Sequence, residues 1–271
     1  MTIHSTGPIS FQDLVDEFST NKPLSLSEMY AGAGYVPAST GVPNSGAISL
    51  GDFYGASAVS AYTLTYNIPA DTYSISSSTI LSDSSWDRVS PVILTIFIHS
   101  RATVSSTKAI GPAIAINALP AGSRVIINNN GRIIGMGGRG GDIQLFSAMP
   151  GQQGGDAIQI ASGVPVSINN LGTIAGGGGG GGALSTSKLY GGGGGQSGLL
   201  ASIGGNAATA SGNPGTLSGP GAGGGPGAGM GGTWGNAGDN ASSLGGAGGN
   251  AVVGNSNVTW ISAGTIHGAL I

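Results

Sequence analysis

The sequence has no cysteine, few charged residues and no long apolar run. The lack of cysteine excludes disulfides, thiolate metal sites and cysteine nucleophiles. Charged residues make up only 7% of the chain and the formal net charge is −3, so the chain lacks the basic patch that nucleic-acid binding requires. The longest strongly apolar run, residues 91–98, is far too short to span a bilayer, and the N-terminus lacks a signal-peptide pattern. We therefore expect a soluble protein that binds no nucleic acid and does not insert into membranes.

Glycine, in contrast, is abundant and unevenly distributed. Of the 55 glycines, 46 lie in residues 131–271, a segment with only six charged residues. Flexible glycine-rich linkers are usually polar or charged. Here Ile, Val, Leu and Ala are interspersed between the glycines, and the mean hydropathy of the chain is +0.21. The composition therefore predicts an ordered glycine-rich domain over residues 126–271.

Residues 1–57 contain a sequence repeat. Each copy has a serine followed three residues later by an acidic residue, which is the capping-box pattern of a helix N-terminus or its aspartate variant. The pattern predicts a module of three short helices. Because each copy could face one subunit of a homotrimer, the module is a candidate adaptor to a trimeric partner. The copies are GPISFQDLV at 7–15, KPLSLSEMY at 22–30 and GAISLGDFY at 46–54.

Residues 58–125 are rich in Ser, Thr, Val, Ile and Tyr. The stretch SAYTLTYNI at 60–68 alternates between apolar and polar residues, and PVILTIFIHS at 91–100 does so in part. Prolines interrupt the remainder of the segment. We therefore predict a small β-rich linker domain of four to six strands.

A second repeat lies inside the glycine-rich domain. The stretches INNNGRIIG at 127–135, INNLGTIAG at 168–176 and WISAGTIHG at 260–268 align without gaps. Repeats of this kind indicate stacked structural units. The shared pattern is typical of turns of parallel β-structure, with Asn and Gly at the corner and Ile inside. It predicts parallel β-like repeats at the base of the domain, and the overall class is mostly irregular and β.

The glycine runs themselves allow more than one ordered structure. Collagen is excluded because there is no sustained Gly-x-y register, and no run continues into a phosphate-binding loop. We predict that the runs form extended threefold helices of the polyglycine II type, which pack side by side and pair their backbone groups with neighbours. A calcium-binding β-roll remains an alternative, because GGRGGDIQL at 137–145 and GGAGGNAVV at 245–253 approach its nonapeptide repeat.

The sequence contains no recognisable catalytic constellation. His4, His99 and His267 are far apart, and none has a partner at metal-ligand spacing. No Gly-x-Ser-x-Gly nucleophile elbow is present. We therefore predict that the protein is not an enzyme and that it has no cofactor or metal ion.

The order of these parts resembles a known family. A repeat module, a β-rich linker and spaced glycine blocks are similar to the tail-fibre tip adhesins of T-even-type bacteriophages, which are receptor-recognising proteins with a polyglycine-sandwich domain. The resemblance extends over essentially the full length. Its specific parts are GPISFQDL, KPLSLSEMYAGAGYVP, SGAISLGDFYGAS and the run from Gly176 to Gly249.

The resemblance implies both a location and two protein partners. One adhesin would cap each homotrimeric long tail fibre and bind an outer-membrane protein of the host, such as a porin, thereby setting host range. The protein would be made in the host cytoplasm and reside in the virion at the distal tip of the fibre. The alternatives are a structural or assembly cap that binds no receptor, and the calcium-binding β-roll.

The resemblance also assigns roles to particular residues. Fibre attachment is assigned to apolar positions of the repeat module: Ile9, Phe11, Leu14, Leu24, Leu26, Met29, Ile48, Leu50 and Phe53. Receptor binding is assigned to bulky or polar residues in the segments between the glycine blocks: Phe146, Met149, Leu184, Lys188, Leu189, Tyr190, Leu199, Leu200, Trp234, Asn236 and Asp239. Aromatic and apolar anchors are the usual hot spots of interfaces, and packing at the ends of the glycine blocks is the other role open to them.

Overall fold

The computed structural model describes residues 3–18, 29–31, 36, 41–56, 61–108, 111–120 and 122–271. Most of these residues lie in short strands or in segments that are neither helix nor strand. The prediction of a mostly irregular and β fold is therefore confirmed.

The N-terminal module contains two of the helix starts predicted from its repeat. The first copy forms helix α1 (Phe11–Phe18), and the third forms a short 3-10 helix (Leu50–Phe53). In the first, the Asp13 carboxylate accepts hydrogen bonds from the backbone N–H and the hydroxyl of Ser10, at 2.6 and 2.7 Å. Asp52 accepts the equivalent bonds from Ser49. The helix start of the second copy falls outside the described residues.

The largest part of the molecule is a three-faced parallel β-solenoid. The chain passes over the first, second and third faces in turn and then begins the next rung, so each face is a sheet of parallel strands. The first face contains β1 (Tyr62–Ile68), β4 (Val92–Ile98), β7 (Arg124–Asn129), β12 (Val166–Asn170) and β17 (Val258–Ser262). The second contains β2 (Thr72–Tyr73), β5 (Thr103–Ser105), β8 (Arg132–Ile134), β13 (Thr173–Ala175) and β18 (Thr265–His267). The third contains β3 (Ile75–Ser76), β6 (Ile114–Ile116), β11 (Ile158–Ile160) and β16 (Val252–Val253).

Alternating residues on these strands form the core of the solenoid. In β4 the buried positions are Val92, Leu94, Ile96 and Ile98, which is the period-two pattern of a strand with one buried face. Identical positions stack on successive rungs, as where Ile168 pairs with Ile127. Helix α2 (Ser77–Ser82) follows β3 and buries Ile80 and Leu81 against the same core.

The Ile-Asn-Asn-x-Gly-x-Ile repeat forms one corner of the solenoid. The buried Asn129 amide donates to the Asn170 side-chain oxygen at 2.7 Å, and Asn170 in turn donates to the Ala263 carbonyl. Gly172 stacks so closely on Gly131 that an added Cβ would lie 2.0 Å from the Gly131 oxygen. The prediction that Asn and Gly occupy the corner of parallel repeats is confirmed. In the last copy a bulge at Ile261 interrupts the gap-free alignment, because Asn169 pairs with Ser262.

The predicted boundary at residues 125/126 does not separate two cores. Each face contains strands from both sides of it in one continuous sheet, and their side chains form a single buried cluster that includes Ile96 and Ile168. The six strands between residues 62 and 116 form the first two rungs of the solenoid and not a separate small β-domain. Local alternation predicted these strands, but it carries no information about which other strands they pair with.

Two insertions in the solenoid form the glycine-rich part of the molecule. On the third and fourth rungs the chain leaves the second face at residues 135 and 176 and returns to the third face near residues 157 and 251. These insertions contain two small antiparallel hairpins, namely β9 (Ile143–Gln144) with β10 (Ser147–Ala148) and β14 (Leu184–Ser185) with β15 (Leu189–Tyr190). A 3-10 helix (Asn255–Asn257) precedes β17.

Candidate functional site

Residues 176–182 and 191–195, here called the central glycine segments, are held by backbone hydrogen bonds to several neighbours. Every residue in them is buried. In the first segment every third N–H donates to the same neighbouring stretch of chain. The pairs are Gly177 to Gly155 and Gly180 to Gln152, Gly178 to Gln196 and Gly181 to Gly193, and Gly179 to Asn236 and Gly182 to Asp239.

The carbonyl groups of the first segment follow the same period toward three other stretches. Gly178 and Gly181 accept from Gly138 and Gly141, Gly177 and Gly180 accept from Gly249 and Gly246, and Gly179 and Gly182 accept from Gly232 and Gly229. The segment therefore has six neighbours. Its N–H and C=O groups, which would be costly to bury unpaired, are satisfied by chain that is distant in sequence.

The central glycine segments have no space for side chains. An added Cβ at any residue from Gly176 to Gly182 would lie between 1.9 and 2.2 Å from a backbone oxygen of a neighbouring segment. Real Cβ atoms do not approach so closely, and backbone on both sides prevents either segment from moving away. Glycine is thus required at each position by packing, and not for its conformational freedom.

Surrounding segments contain side chains as well as glycine. Met136 and Arg139 alternate with pairs of glycines in 135–141, and in 245–249 the exposed residue is Ala247. Other surrounding segments include 150–155, 211–215 and 236–239, which hydrogen-bond to their neighbours in the same way although they contain few consecutive glycines. Runs of consecutive glycines therefore predicted only the central glycine segments and not the segments around them. Glycine at every third position, as in Gly151 and Gly154, is the signal that would have identified more of the surrounding segments.

The loops that join these segments lie at two opposite ends. One group, here called the far loops, comprises residues 142–150, 183–190, 206–211, 223–228 and 239–244. The far loops contact one another through hydrogen bonds. Ser185 donates to the Phe146 carbonyl at 2.6 Å, the Ser185 N–H donates to Ser242, and Leu189 receives a hydrogen bond from the Thr209 N–H. These loops therefore form one continuous surface at the ends of the glycine segments that point away from the solenoid.

The other group, here called the near loops, comprises residues 196–203, 213–219 and 233–237 and lies against the solenoid. The Leu199 N–H donates to the Ser105 hydroxyl at the end of β5, and the Gln196 amide donates to the Leu217 carbonyl. The Trp234 indole donates to Ser197, and its ring lies 5.8 Å from that of His267 in β18.

The structure thus divides the residues predicted to bind a receptor. Seven of them lie in the far loops: Phe146, Met149, Leu184, Lys188, Leu189, Tyr190 and Asp239. Leu199, Leu200, Trp234 and Asn236 lie in the near loops. Trp234 packs inside the molecule, because its indole N–H donates to the Ser197 carbonyl and its ring lies against that of His267. Sequence spacing treated all intervening segments alike, since it contains no signal for which end of a glycine segment a loop joins.

The hairpin β14–β15 presents a mainly polar turn. Thr186, Ser187 and Lys188 are exposed at its tip, whereas Leu184 and Tyr190 are half-buried at its base. The Tyr190 ring covers Gly225, where an added Cβ would lie 2.5 Å from the ring. Tyr190 therefore helps to hold the loop 223–228 and is only partly available to a partner.

The hairpin β9–β10 presents an apolar turn. Its two tip residues are Leu145, which is 96% exposed, and Phe146, which is 79% exposed. Both have positive φ angles, of 48° and 65°, which is the pattern of a type I′ turn. A side chain in this left-handed region costs roughly 1–2 kcal/mol per residue, which is why Asn and Gly are preferred there. Phe146 was among the predicted receptor-binding residues, whereas Leu145 was not.

The base of this hairpin is fixed by Asp142. Its carboxylate accepts from the Arg139 guanidinium at 2.8 Å and from the Asn206 N–H at 2.7 Å. The Ile143 N–H donates to the Asn206 carbonyl, and the Met149 N–H donates to the Asp142 carbonyl. Two far loops are thereby joined at their roots. The same carboxylate is the one that a β-roll would use as a calcium ligand.

The attachment residues predicted in the N-terminal module fall into three groups. Leu14, Met29 and Phe53 are fully buried and form the core of the module with Phe18 and Val42. Because these side chains are buried, they are not available for direct contact with a fibre, and their part in attachment would be to hold the module together. Ile9, Ile48 and Leu50 are half-buried at the edge of that core, and Phe11 is 44% exposed. Leu24 and Leu26 lie outside the described residues.

The module lies against one corner of the solenoid. An added Cβ on Gly122, in the connection between β6 and β7, would lie 3.1 Å from the Gly55 carbonyl of the module. The glycine segments leave the solenoid at a different corner, between the second and third faces. The module and the far loops are therefore separated by the solenoid and by the length of the glycine segments.

Two further properties of the described residues concern ions and membranes. Within the described ranges, no group of three or more His, Asp or Glu side chains is placed to hold a metal ion. Among the helices of the same ranges, none has the length and apolar character needed to cross a membrane.

Comparisons with known proteins agree with the geometry. Among solved structures, the chain is similar to one described as the crystal structure of the gp37-gp38 adhesin tip complex of the bacteriophage S16 long tail fiber. The two share 28% sequence identity with a TM-score of 0.65, and the match covers 98% of this chain and 100% of that chain. No match was found among curated proteins. A family model described as phage tail fibre adhesin Gp38 matches residues 63–271, which is well over half of the chain. The resemblance inferred from the repeats is thereby confirmed, and the protein belongs to the phage tail fibre adhesin Gp38 family.

Proposed function

We propose that this protein caps the tip of a phage long tail fibre and binds an outer-membrane protein of the host bacterium, thereby setting host range. Members of its family are structural adhesins of the tail fibre and not enzymes, which confirms the prediction made from the absence of a catalytic motif. The protein would be synthesised in the host cytoplasm and located at the distal tip of the fibre in the virion.

The observation that supports receptor binding most directly is the surface formed by the far loops. Large apolar side chains are exposed there, including Leu145, Phe146, Met149 and Leu244. None of them is needed to fill the interior, since the glycine segments pack without side chains. Loops that carry binding residues on a rigid scaffold are the usual arrangement of recognition surfaces.

The scaffold that positions these loops is proposed to be a bundle of polyglycine II helices. A three-residue period of donors and acceptors is expected for a helix with three residues per turn and outward-pointing backbone groups. Gly177 and Gly180, which face the same neighbour, are separated by one such period. Since neighbouring segments run in both directions, the loops that join them collect at the two ends of the bundle. The near loops lie against the solenoid, and the far loops lie at the free end.

Attachment to the fibre is proposed for the outer surface of the N-terminal module. The related structure is titled as a complex between gp37 and gp38, which supports a tail fibre protein as the partner here. The repeat favours one adhesin for each trimeric fibre, with each copy facing one subunit. The available side chains are Phe11 and Tyr54, which are 44% and 45% exposed, together with the half-buried Leu50.

Loop exchange between two related adhesins with different hosts tests the function. Exchanging only the far loops should transfer adsorption to the new host, whereas exchanging only the near loops should leave host range unchanged. In the same phages, Phe11→Asp should release the adhesin from purified fibres without lowering its melting temperature, because Phe11 is exposed. Tyr54 is left unchanged, because its hydroxyl donates to the Gly7 carbonyl inside the module. Unchanged host range after the far-loop exchange would favour the alternative of a structural cap that binds no receptor.

A further inference from the structure

We infer that the turn Leu145–Phe146 is an apolar anchor that inserts into a recess between protein loops of the receptor. This inference rests on the proposed function and specifies which far-loop residues make the central contact. It concerns two residues at the tip of one hairpin, β9–β10, and not the far loops as a whole.

The turn has a sequence unsuited to its own conformation. Both residues have positive φ, where Asn-Gly is the favoured pair, yet the chain has Leu followed by Phe. Among the described residues only Ser74 and Arg88 share this strained conformation without being glycine. Neither tip side chain gains burial in return, since they are 96% and 79% exposed. A large apolar pair that weakens its own turn is explained by a contact outside the molecule.

The hairpin is also held in place before any partner binds. Asp142 fixes its first strand to Asn206, and the Ser185 hydroxyl donates to the Phe146 carbonyl. The Ser243 hydroxyl donates to the Met149 carbonyl just after the second strand. Little conformational entropy would therefore be lost when the tip is buried, and such preorganisation raises affinity.

The shape and charge of the tip indicate the chemistry of the partner. The tip is convex and apolar, so its complement is a concave apolar recess. The charged groups of the far loops are the Arg139–Asp142 ion pair at their root, Lys188 and Asp239. Their formal charges cancel, which leaves no excess of positive charge to recognise the phosphates of lipopolysaccharide. Neither Leu145 nor Phe146 has a side-chain hydrogen-bonding group with which to bind a sugar, and the exposed polar neighbours Gln144 and Ser147 would contact the rim of the recess. These properties favour a protein recess over a saccharide.

The test replaces the tip by the residues that a type I′ turn prefers, Leu145→Asn together with Phe146→Gly. This change should maintain or raise the melting temperature, since it relieves the strained turn. Binding of the full-length labelled chain to cells of the strain that the phage infects should fall by about 30-fold or more, as expected when hot-spot side chains are removed. A merely structural turn would predict unchanged or improved binding.

A matched control is Leu171→Asn, which removes an exposed apolar side chain from a corner of the solenoid, where Leu171 is 66% exposed. It should leave cell binding unchanged. Parental chain that does not bind the cells would overturn the proposed function itself. If the parental chain and the Asn-Gly variant bind the cells equally well, the proposed function stands and only the role of Leu145 and Phe146 as an anchor is overturned. Cells treated with protease to remove outer-membrane proteins should no longer bind; retained binding would contradict the protein recess and point to a saccharide or lipid.

Discussion

The solenoid and the glycine segments both align extended chain side by side, but they fill the space between chains differently. In the solenoid, parallel strands form three faces that enclose Ile, Val and Leu side chains, such as Ile96 and Ile127. In the glycine segments, neighbouring backbones approach until the space between them is filled by backbone atoms alone. One region is stabilised chiefly by burial of apolar surface, and the other by a lattice of backbone hydrogen bonds.

The comparison shows how differently the two regions should respond to substitution. A buried aliphatic side chain can be shortened at the cost of a cavity, and the loss is graded with its size. A buried glycine can only be enlarged, and its neighbours on each side are backbone. Ordering glycine also costs more conformational entropy than ordering any other residue, so the hydrogen-bond lattice must remain nearly complete to offset it.

The largest effect is expected for Gly179→Ala in a central glycine segment. The new Cβ would lie 1.9 Å from the Gly246 carbonyl oxygen, so the segments must separate and several hydrogen bonds must break. We expect a loss on the order of 4 kcal/mol or more in the free energy of unfolding. Thermal unfolding followed by circular dichroism would measure it, with a fall in melting temperature of about 10 °C or more.

Gly219→Ala is the matched control for that substitution. Gly219 lies in a near loop, and an added Cβ would have no atom within 4 Å. We expect a melting temperature equal to that of the parent or slightly higher, because alanine restricts the unfolded chain. Equal losses for the two alanine variants would contradict the distinction between packed and unpacked glycines.

An intermediate effect is expected for Ile127→Ala in the solenoid. Ile127 is fully buried between Ile96 and Ile168 on the neighbouring rungs. Its truncation should lower the free energy of unfolding by about 2–5 kcal/mol. Ile261→Ala removes the same atoms from a bulge, where Ile261 is 65% exposed. Its free energy of unfolding, measured by denaturant titration, should change little. A loss for Ile261→Ala as large as that for Ile127→Ala would show that burial is not what stabilises the rungs.

The smallest effect is expected in the solenoid loop before β4, which is held by a side chain and not by backbone pairing. The Ser90 hydroxyl and the Val89 and Ser90 N–H groups donate to Asp87 and lower the pKa of its carboxyl below the ordinary value. The resulting stabilisation is complete above the ordinary pKa and is lost as the pH falls through the lowered one. Asp87→Asn should therefore slightly reduce the loss of melting temperature between pH 5 and about pH 3, the range in which aspartate titrates. An unchanged acid response would mean that ionisation of Asp87 contributes nothing to stability.

Local signals in the sequence predicted several elements well. Ser10 and Asp13, with Ser49 and Asp52, gave the helix starts because a capping box depends on residues only three positions apart. The Ile-Asn-Asn-x-Gly-x-Ile repeat gave the corner of parallel strands because equivalent residues stack directly on each other. The unbroken glycine runs gave the central segments, where no side chain fits at any position.

Properties that depend on distant parts of the chain were not accessible from the same signals. The continuity of the solenoid across residue 125 depends on pairing between β4 and β7, which alternation within either strand does not specify. The inward orientation of Leu14 and Phe53 depends on the packing of the whole module. The strain at Leu145 and Phe146 is set by a two-residue loop between strands of only two residues each, too short for a detectable alternating pattern.

The three-residue period of the glycine segments also limits how this protein can change in length. One residue inserted into 176–182 would shift every later N–H and C=O group out of phase with its partner on all six neighbours. Three inserted residues would restore the phase, but they would lengthen this segment beyond the neighbouring segments with which it pairs. Insertions and deletions are therefore confined to the loops, so homologous adhesins should differ in loop length while their glycine segments keep a fixed length.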